Sequence, residues 1–232
     1  ISYNQKNYFV NAFAEDLGLN NRNMQLEAGS YGYYKVSVGY IELPHYISNT
    51  SKTPFEGFGG TSLTLPSNFV KGNTTQAMRM TNLNDSDLSM KRVGESFGIA
   101  KNLGEDLDFK VSFKNEDKNG VSSLGGTFGT TGGNTRSIVL PQAINQSAKD
   151  FVATLAHNGE KFQAQMDYSL SIFNNNVKSM TFENPYSGTA MAANGLMSMP
   201  QDNQHWKVGV SGGVDLPYAS RLSMSAEYGA MT

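Results

Sequence analysis

The sequence predicts an all-β protein: an antiparallel up-and-down transmembrane β-barrel segment of about eight strands, with long loops on one rim. Three observations lead there. Apolar and polar residues alternate along several segments, the connections between those segments fall into a short and a long class, and the composition suits half-buried extended chain. Its 232 residues include 24 Gly, 11% aromatics and only 16% charged residues, with a formal net charge of −2.

The clearest strand covers residues 162–172, where Phe162, Ala164, Met166, Tyr168, Leu170 and Ile172 alternate with Gln163, Gln165, Asp167, Ser169 and Ser171. A period of two puts one set on each face of a strand. Trp206, Val208, Val210, Gly212, Val214 and Leu216 repeat the pattern, and after Pro217-Tyr218-Ala219-Ser220 it resumes as Leu222, Met224, Ala226, Tyr228 and Ala230. Further strands are expected at 8–17, 32–43, 107–116, 121–129 and 149–157, with 24–29 a separate strand or part of its successor. Brief turns are expected at Asn20-Asn21-Arg22-Asn23, Asp117-Lys118-Asn119-Gly120, Asn158-Gly159-Glu160 and 217–220.

Long connections are expected at 130–147 and 174–203. Strict alternation of short and long rims leads to a third long loop over residues 44–106, carrying a short helix because Met90, Val93, Phe97 and Ala100 recur at helical spacing. The whole chain, 1–232, then reads as one partial barrel domain, a piece of a longer protein. No apolar run approaches the length of a membrane-spanning helix, and the mean hydropathy is −0.40. An alternating strand needs only about 9–11 residues to cross a bilayer, and averaging over its two faces hides the lipid-facing half. Tyr31, Tyr33, Trp206 and Tyr228 sit at strand ends, where interfacial aromatics belong. A soluble β-sandwich would share the alternation.

Several function classes are disfavoured. No run of like charge could neutralise a row of phosphates, so nucleic acid is not an expected partner. With no Cys, the chain offers no disulfide, thiolate metal site or covalent haem attachment. His45, His157 and His205 lack a second ligand at metal-binding spacing. Asp202-Asn203-x-His205 reads as a loop-to-strand junction. There is no Gly-x-Ser-x-Gly elbow, and Gly57-x-Gly59-Gly60 and Gly125-Gly126-x-x-Gly129 lack the Lys of a phosphate loop. Asp85, Asp87, Glu105 and Asp106 lack the ordered ligand ladder of a calcium loop. No catalytic, cofactor or metal residue is assigned, and the chain is not expected to be an enzyme. The candidate partner contacts are the lumen-facing Asp108, Lys110, Lys114, Gln163, Gln165, Asp167, Lys207, Asp215 and Glu227, whose mixed signs argue against a strongly ion-selective pore.

Several segments resemble the MtrB/PioB family of decahaem-associated outer-membrane proteins. They are Tyr40-Ile41-Glu42-Leu43-Pro44-His45-Tyr46-Ile47-Ser48-Asn49, Thr53-Pro54-Phe55-Glu56-Gly57, Leu63-Thr64-Leu65-Pro66, Glu116-Asp117-Lys118-Asn119-Gly120 and Val139-Leu140-Pro141. Tyr168-Ser169-Leu170-Ser171-Ile172-Phe173-Asn174-Asn175, Met199-Pro200-Gln201-Asp202-Asn203-Gln204-His205 and Tyr228-Gly229-Ala230-Met231-Thr232 continue the series. The resemblance implies a barrel in the bacterial outer membrane that sheathes a periplasmic multihaem c-type cytochrome and meets an outer-surface multihaem cytochrome at its long loops. Haem would be carried by those partners and none by this chain, and membrane lipid would surround it. The rival expectations are a diffusion porin with a water-filled lumen and a soluble secreted β-sandwich binding module.

Overall fold

Segments whose side chains alternate in character present one chemistry to each side, so they pair laterally as strands. A computed structural model describes residues 1–72, 83–131, 134–187 and 192–232, and no helix occurs among them. In chain order the strands are β1 (Ser2–Gln5), β2 (Tyr8–Glu15), β3 (Asn23–Ser30), β4 (Tyr34–Ser48), β5 (Lys52–Thr53), β6 (Ser62–Leu63), β7 (Asn84–Asp85) and β8 (Leu88–Asn102). They continue with β9 (Leu107–Thr131), β10 (Asn134–Asn158), β11 (Phe162–Asn175), β12 (Ser179–Glu183), β13 (Asn194–Ser198), β14 (Asn203–Leu216) and β15 (Ser220–Met231).

Ten of them form one antiparallel sheet in the order β1-β2-β3-β4-β8-β9-β10-β11-β14-β15. Each neighbour in the sheet is the next of these ten strands in sequence, which is up-and-down topology. The sheet is not closed among the described residues; β1 and β15 are its edges. Short turns at 6–7, 31–33, 103–106, 159–161 and 217–219 lie on one rim. On the other rim are residues 16–22, the described residues between β4 and β8 and between β11 and β14, and the far ends of β9 and β10.

Short turns share one rim as expected, but the other rim is not uniformly long: it also carries residues 16–22, expected as a short turn at 20–23, and the end of the β9–β10 hairpin. Three further expected connections differ. Residues 44–106 are not one loop with a helix: β4 continues to Ser48, and β8 pairs with β4 on one side and β9 on the other. The helix-like spacing mixed two faces of a strand. Val93 and Phe97 point one way and Met90 and Ala100 the other, while Gly94 and Gly98 hide the alternation. Residues 117–120 are not a turn, since Asp117 to Gly120 pair with Ser147 to Ile144 within β9. Gly120 is required there by contact rather than by a bend: it has φ +143°, and a Cβ would lie 2.2 Å from the Ser89 carbonyl oxygen. Residues 130–147 are not a loop either, because β10 begins at Asn134 and pairs with β9.

The largest buried cluster lies toward the long-loop rim, where the loops pack on the upper part of β10, and not along the body of the sheet. Phe55 and Leu63 from the first long loop, Val177, Met180, Phe182 and Met199 from the second, and Leu140 and Ala143 from β10 form one cluster. Two chain segments far apart in sequence are joined there as a small sheet of order β13-β12-β6, in which Thr181 and Phe182 run parallel to Ser62 and Leu63.

Candidate functional site: an apolar wall, a polar wall and a covered rim

Residues directly opposite in an antiparallel ladder share a face, so register alone assigns sides. Tyr3, Val10, Ala28, Val36, Ile99, Val111, Ala153, Tyr168, Val208 and Tyr228 oppose one another from β1 to β15 without a polar interruption. The parallel row Leu26, Val38, Phe97, Phe113, Phe151, Leu170, Trp206 and Ala230 is apolar as well. Among the described residues nothing covers this wall. Val38 is 48% exposed, Phe97 41%, Met166 50% and Val210 52%.

A contiguous apolar surface across ten strands far exceeds the few hundred Å² that a water-soluble monomer tolerates, whereas lipid solvates it without cost. The alternation 162–172 on β11 has the length of a strand that crosses the hydrocarbon layer at a tilt. Above that level the same face turns polar, with Tyr40, Glu95, Asn115 and Lys149 in register. Aromatics mark both ends. Tyr31 and Tyr33 occupy a short turn, and near the long-loop end the Trp206 and Tyr228 rings meet edge to face at 5.5 Å.

The opposite wall is low and polar. One row reads Glu27, Ser37, Gly98, Ser112, Val152, Ser169, Lys207 and Gly229, and the next Gln25, Gly39, Ser96, Lys114, Asp150, Ser171, His205 and Met231. At some of these positions a side chain would displace its neighbour: a Cβ on Gly39 would lie 2.5 Å from Ser96 Oγ, and one on Gly98 2.6 Å from Ser37 Oγ, so each serine hydroxyl would have to turn aside.

The expected lumen-facing residues fall on this wall. Lys110, Asp167 and Glu227 share a row with Thr154 and Gly209, and Lys114 and Lys207 belong to the two rows just given. Asp108 and Gln165 flank Ala156, while Gln163 opposes Gly213, two residues from Asp215 on the same side of β14. Most are tied to neighbours. Lys207 Nζ pairs with Glu227 at 3.1 Å, and Arg221 holds Asp215 at 2.8 Å and Gln163 at 2.6 Å. Thr154 and Gln165 each donate to Asp167 at 2.7 Å, and Asn158 donates to Asp108 at 3.0 Å. Lys114 lies 3.7 Å from Glu116, which Arg92 also approaches at 3.8 Å.

Arg92, Glu116 and Asp150 belong to the same wall but are not among the expected contacts: Arg92 falls in the segment expected as a loop, whereas Glu116 and Asp150 lie in the expected strands 107–116 and 149–157 and are not singled out there. His45 and His205 face the polar side, whereas His157 stands on the apolar side with its ring 5.8 Å from Phe162. Asp85 pairs with Lys52 on the long-loop rim, far from Glu105 and Asp106 in a turn of the other rim. Among the described residues no three His, Cys, Asp or Glu side chains converge. Asp202 is structural: it accepts the Asn175 backbone N–H at 2.7 Å and Lys178 Nζ at 2.5 Å. These hydrogen bonds, the backbone one first, hold its carboxyl below the usual carboxylate range.

At the long-loop end of the lipid-facing wall, Glu42 is closed in by cations. Its carboxylate receives a two-point contact from Arg22 at 3.0 and 3.1 Å, Lys91 Nζ at 3.0 Å and the Tyr40 hydroxyl at 2.5 Å. Only 3% of its side chain is exposed.

Comparison with known proteins agrees with this geometry. The model of the family described as "Putative outer membrane beta-barrel porin, MtrB/PioB" matches residues 1–232. The chain is also similar to the outer membrane protein MtrB of Shewanella baltica (strain OS185), at 29% identity over 212 residues. That alignment covers 90% of this chain and 30% of the relative, so the chain spans about a third of the relative's length.

Proposed function

The chain belongs to the MtrB/PioB family of outer-membrane β-barrel porins, and from that premise we propose that it is part of a structural sheath housing a multihaem c-type cytochrome for transmembrane, extracellular electron transfer. The chain is an outer-membrane protein whose apolar wall faces lipid. In the proposed arrangement its polar wall faces a periplasmic cytochrome held in the lumen, and the long-loop rim meets an outer-surface multihaem cytochrome. Haem is carried by the partners. The barrel's own contribution is not catalysis but geometry: it keeps lipid away from the haem chain and fixes its position across the membrane.

The low profile of the polar wall is the observation that carries this reading. Ser37, Gly39, Ser96, Gly98, Ser112, Ser169, Ser171, Gly209 and Ser211 leave broad stretches with no long side chain, and several of the charges between them are tied to neighbours along the wall, Lys207 to Glu227 and Arg221 to Asp215 as ion pairs and Asp108 and Asp167 by neutral donors. A smooth surface with charges tied down in this way suits close packing against a large folded body, where unpaired charges would be stranded without water. A diffusion porin is the second reading, favoured by the polarity of the same wall and by mixed charges that water would solvate equally well.

The two separate on what the lumen contains. Affinity purification of the full-length protein from detergent-solubilised outer membranes, with a haem stain and visible absorbance spectrum, is expected to bring a stoichiometric c-type haem protein. A haem-free barrel from cells that express multihaem cytochromes would overturn the sheath in favour of the porin.

A further inference from the structure

Strands β9 and β10 outrun their neighbours. The last pair of β8 with β9 is Met90 with Gly120, and that of β11 with β10 is Asn175 with Gln146. Beyond these points the hairpin stands alone for about a dozen residues per strand, on the order of 40 Å of extended chain. A free two-stranded hairpin is only marginally stable, so something must cover it, and register tells which side is covered. The ladder continues unshifted through Leu124 with Leu140 and Gly126 with Ile138. Those positions therefore continue the polar wall of Lys110, Ser112 and Lys114.

The hydrophobic cluster sits on that side. A Cβ built on Gly126 would lie 2.7 Å from Leu140 Cδ1 and 3.5 Å from Phe182 Cε2, and Phe128 meets the Phe182 ring edge to face at 5.2 Å. On the reverse side Ser123, Gly125, Thr127 and Val139 are exposed, Val139 by 61%. The two long loops thus lean over the polar side of the hairpin. One leaves the sheet between β4 and β8 and the other between β11 and β14, so they arrive from both flanks of β8–β11. They meet at the parallel pairing of Ser62 and Leu63 with Thr181 and Phe182, reinforced by the Leu65 N–H on Glu183 at 2.6 Å.

We propose that this packed strap is a built-in permeation barrier: a fixed lid over one arc of the barrel mouth that restricts the passage of small polar solutes. The inference rests on the chain's being part of a membrane barrel with its polar wall toward the lumen, and it is independent of whether a cytochrome fills that lumen. A mobile loop would not need a buried aromatic at its junction with the hairpin. Phe182, 4% exposed and packed between Gly126 and Phe128, fixes the lid inward.

The test is conductance. The full-length barrel is purified from outer membranes of cells without multihaem cytochromes, shown to be haem-free by its spectrum, and reconstituted in planar bilayers. Phe182→Asp, which places a charge in the cluster, is expected to raise single-channel conductance by at least ~1.5-fold while leaving the heat-modifiable gel shift of the assembled barrel in place. If that variant does not assemble, Phe182→Ala takes its place with the same expectation in a smaller degree. An assembled variant whose conductance equals that of the unmodified barrel overturns the lid. Because the lumen is emptied beforehand, failure of this test is distinct from failure of the sheath reading.

Discussion

Glu42 shows how much one residue can be asked to hold at the margin of a lipid-facing wall. With its side chain 3% exposed between Arg22 and Lys91, each 40% exposed, Glu42→Gln keeps the shape but leaves two cations side by side without their anion. The expected outcome is a loss of stability, tempered because both cations reach solvent, and it is read as a lower urea midpoint for the refolded full-length barrel. At Asp202 the sign of the pH response follows from its lowered carboxyl pKa. A depressed folded value contributes stability above the unfolded pKa and loses it as pH falls through the folded value. Protease resistance of the loop 176–202 is therefore expected at neutral pH and should fall below pH about 4, with Asp202→Asn abolishing that dependence. That the expected contact residues share one side of the sheet is legible in the sequence, because period two assigns a side without any tertiary knowledge. The burial of Phe55, Leu63, Met180 and Phe182 is not, since their contacts join segments more than a hundred residues apart that lack a local pattern.

At the scale of the strand, adjacent residues should answer oppositely to the same change. Ser37 lies on the polar wall and Val38 in the apolar row with Phe97 and Phe113. Val38→Arg puts a charge against lipid at a cost on the order of 2 kcal/mol or more, so it is expected to reduce assembled barrel in outer-membrane fractions. Ser37→Arg should leave assembly near the unmodified level. Equal loss for both would break the assignment of faces. The same scale explains where the alternation misleads. A turn at 117–120 adds a rim crossing that the structure lacks, and a loop with a helix in place of β8 removes one that it has, so these two errors offset each other in the order of rims from β9 onward. Polar residues on both faces caused the first error. Above the lipid level Asn115, Asp117 and Asn119 no longer need an apolar side, and the upper part of β9 acquires the composition of a turn.

Across the whole molecule, the up-and-down order, the long-loop rim and the two-faced sheet could be read from sequence, because each repeats in strand after strand. The inward packing of the loops could not, because it depends on a hairpin longer than its neighbours. The outer sides of β1 and β15 carry backbone groups with no strand partner among the described residues, a state that lipid does not tolerate. Residues 1–232 expressed alone are therefore expected to sediment from detergent-free buffer, and a stable monomer in that buffer would contradict a membrane barrel. The sheath makes the strongest demand on the molecule, since it requires the polar wall itself to touch a haem protein. A photo-crosslinking amino acid placed singly at Lys114, Ser169, Phe113 or Leu170 of the full-length protein, in cells expressing multihaem cytochromes, tests that contact most directly. Haem-staining adducts are expected from Lys114 and Ser169 and none from Phe113 or Leu170. Assembled barrels that give no haem-positive adduct from either polar-wall position would contradict the sheath.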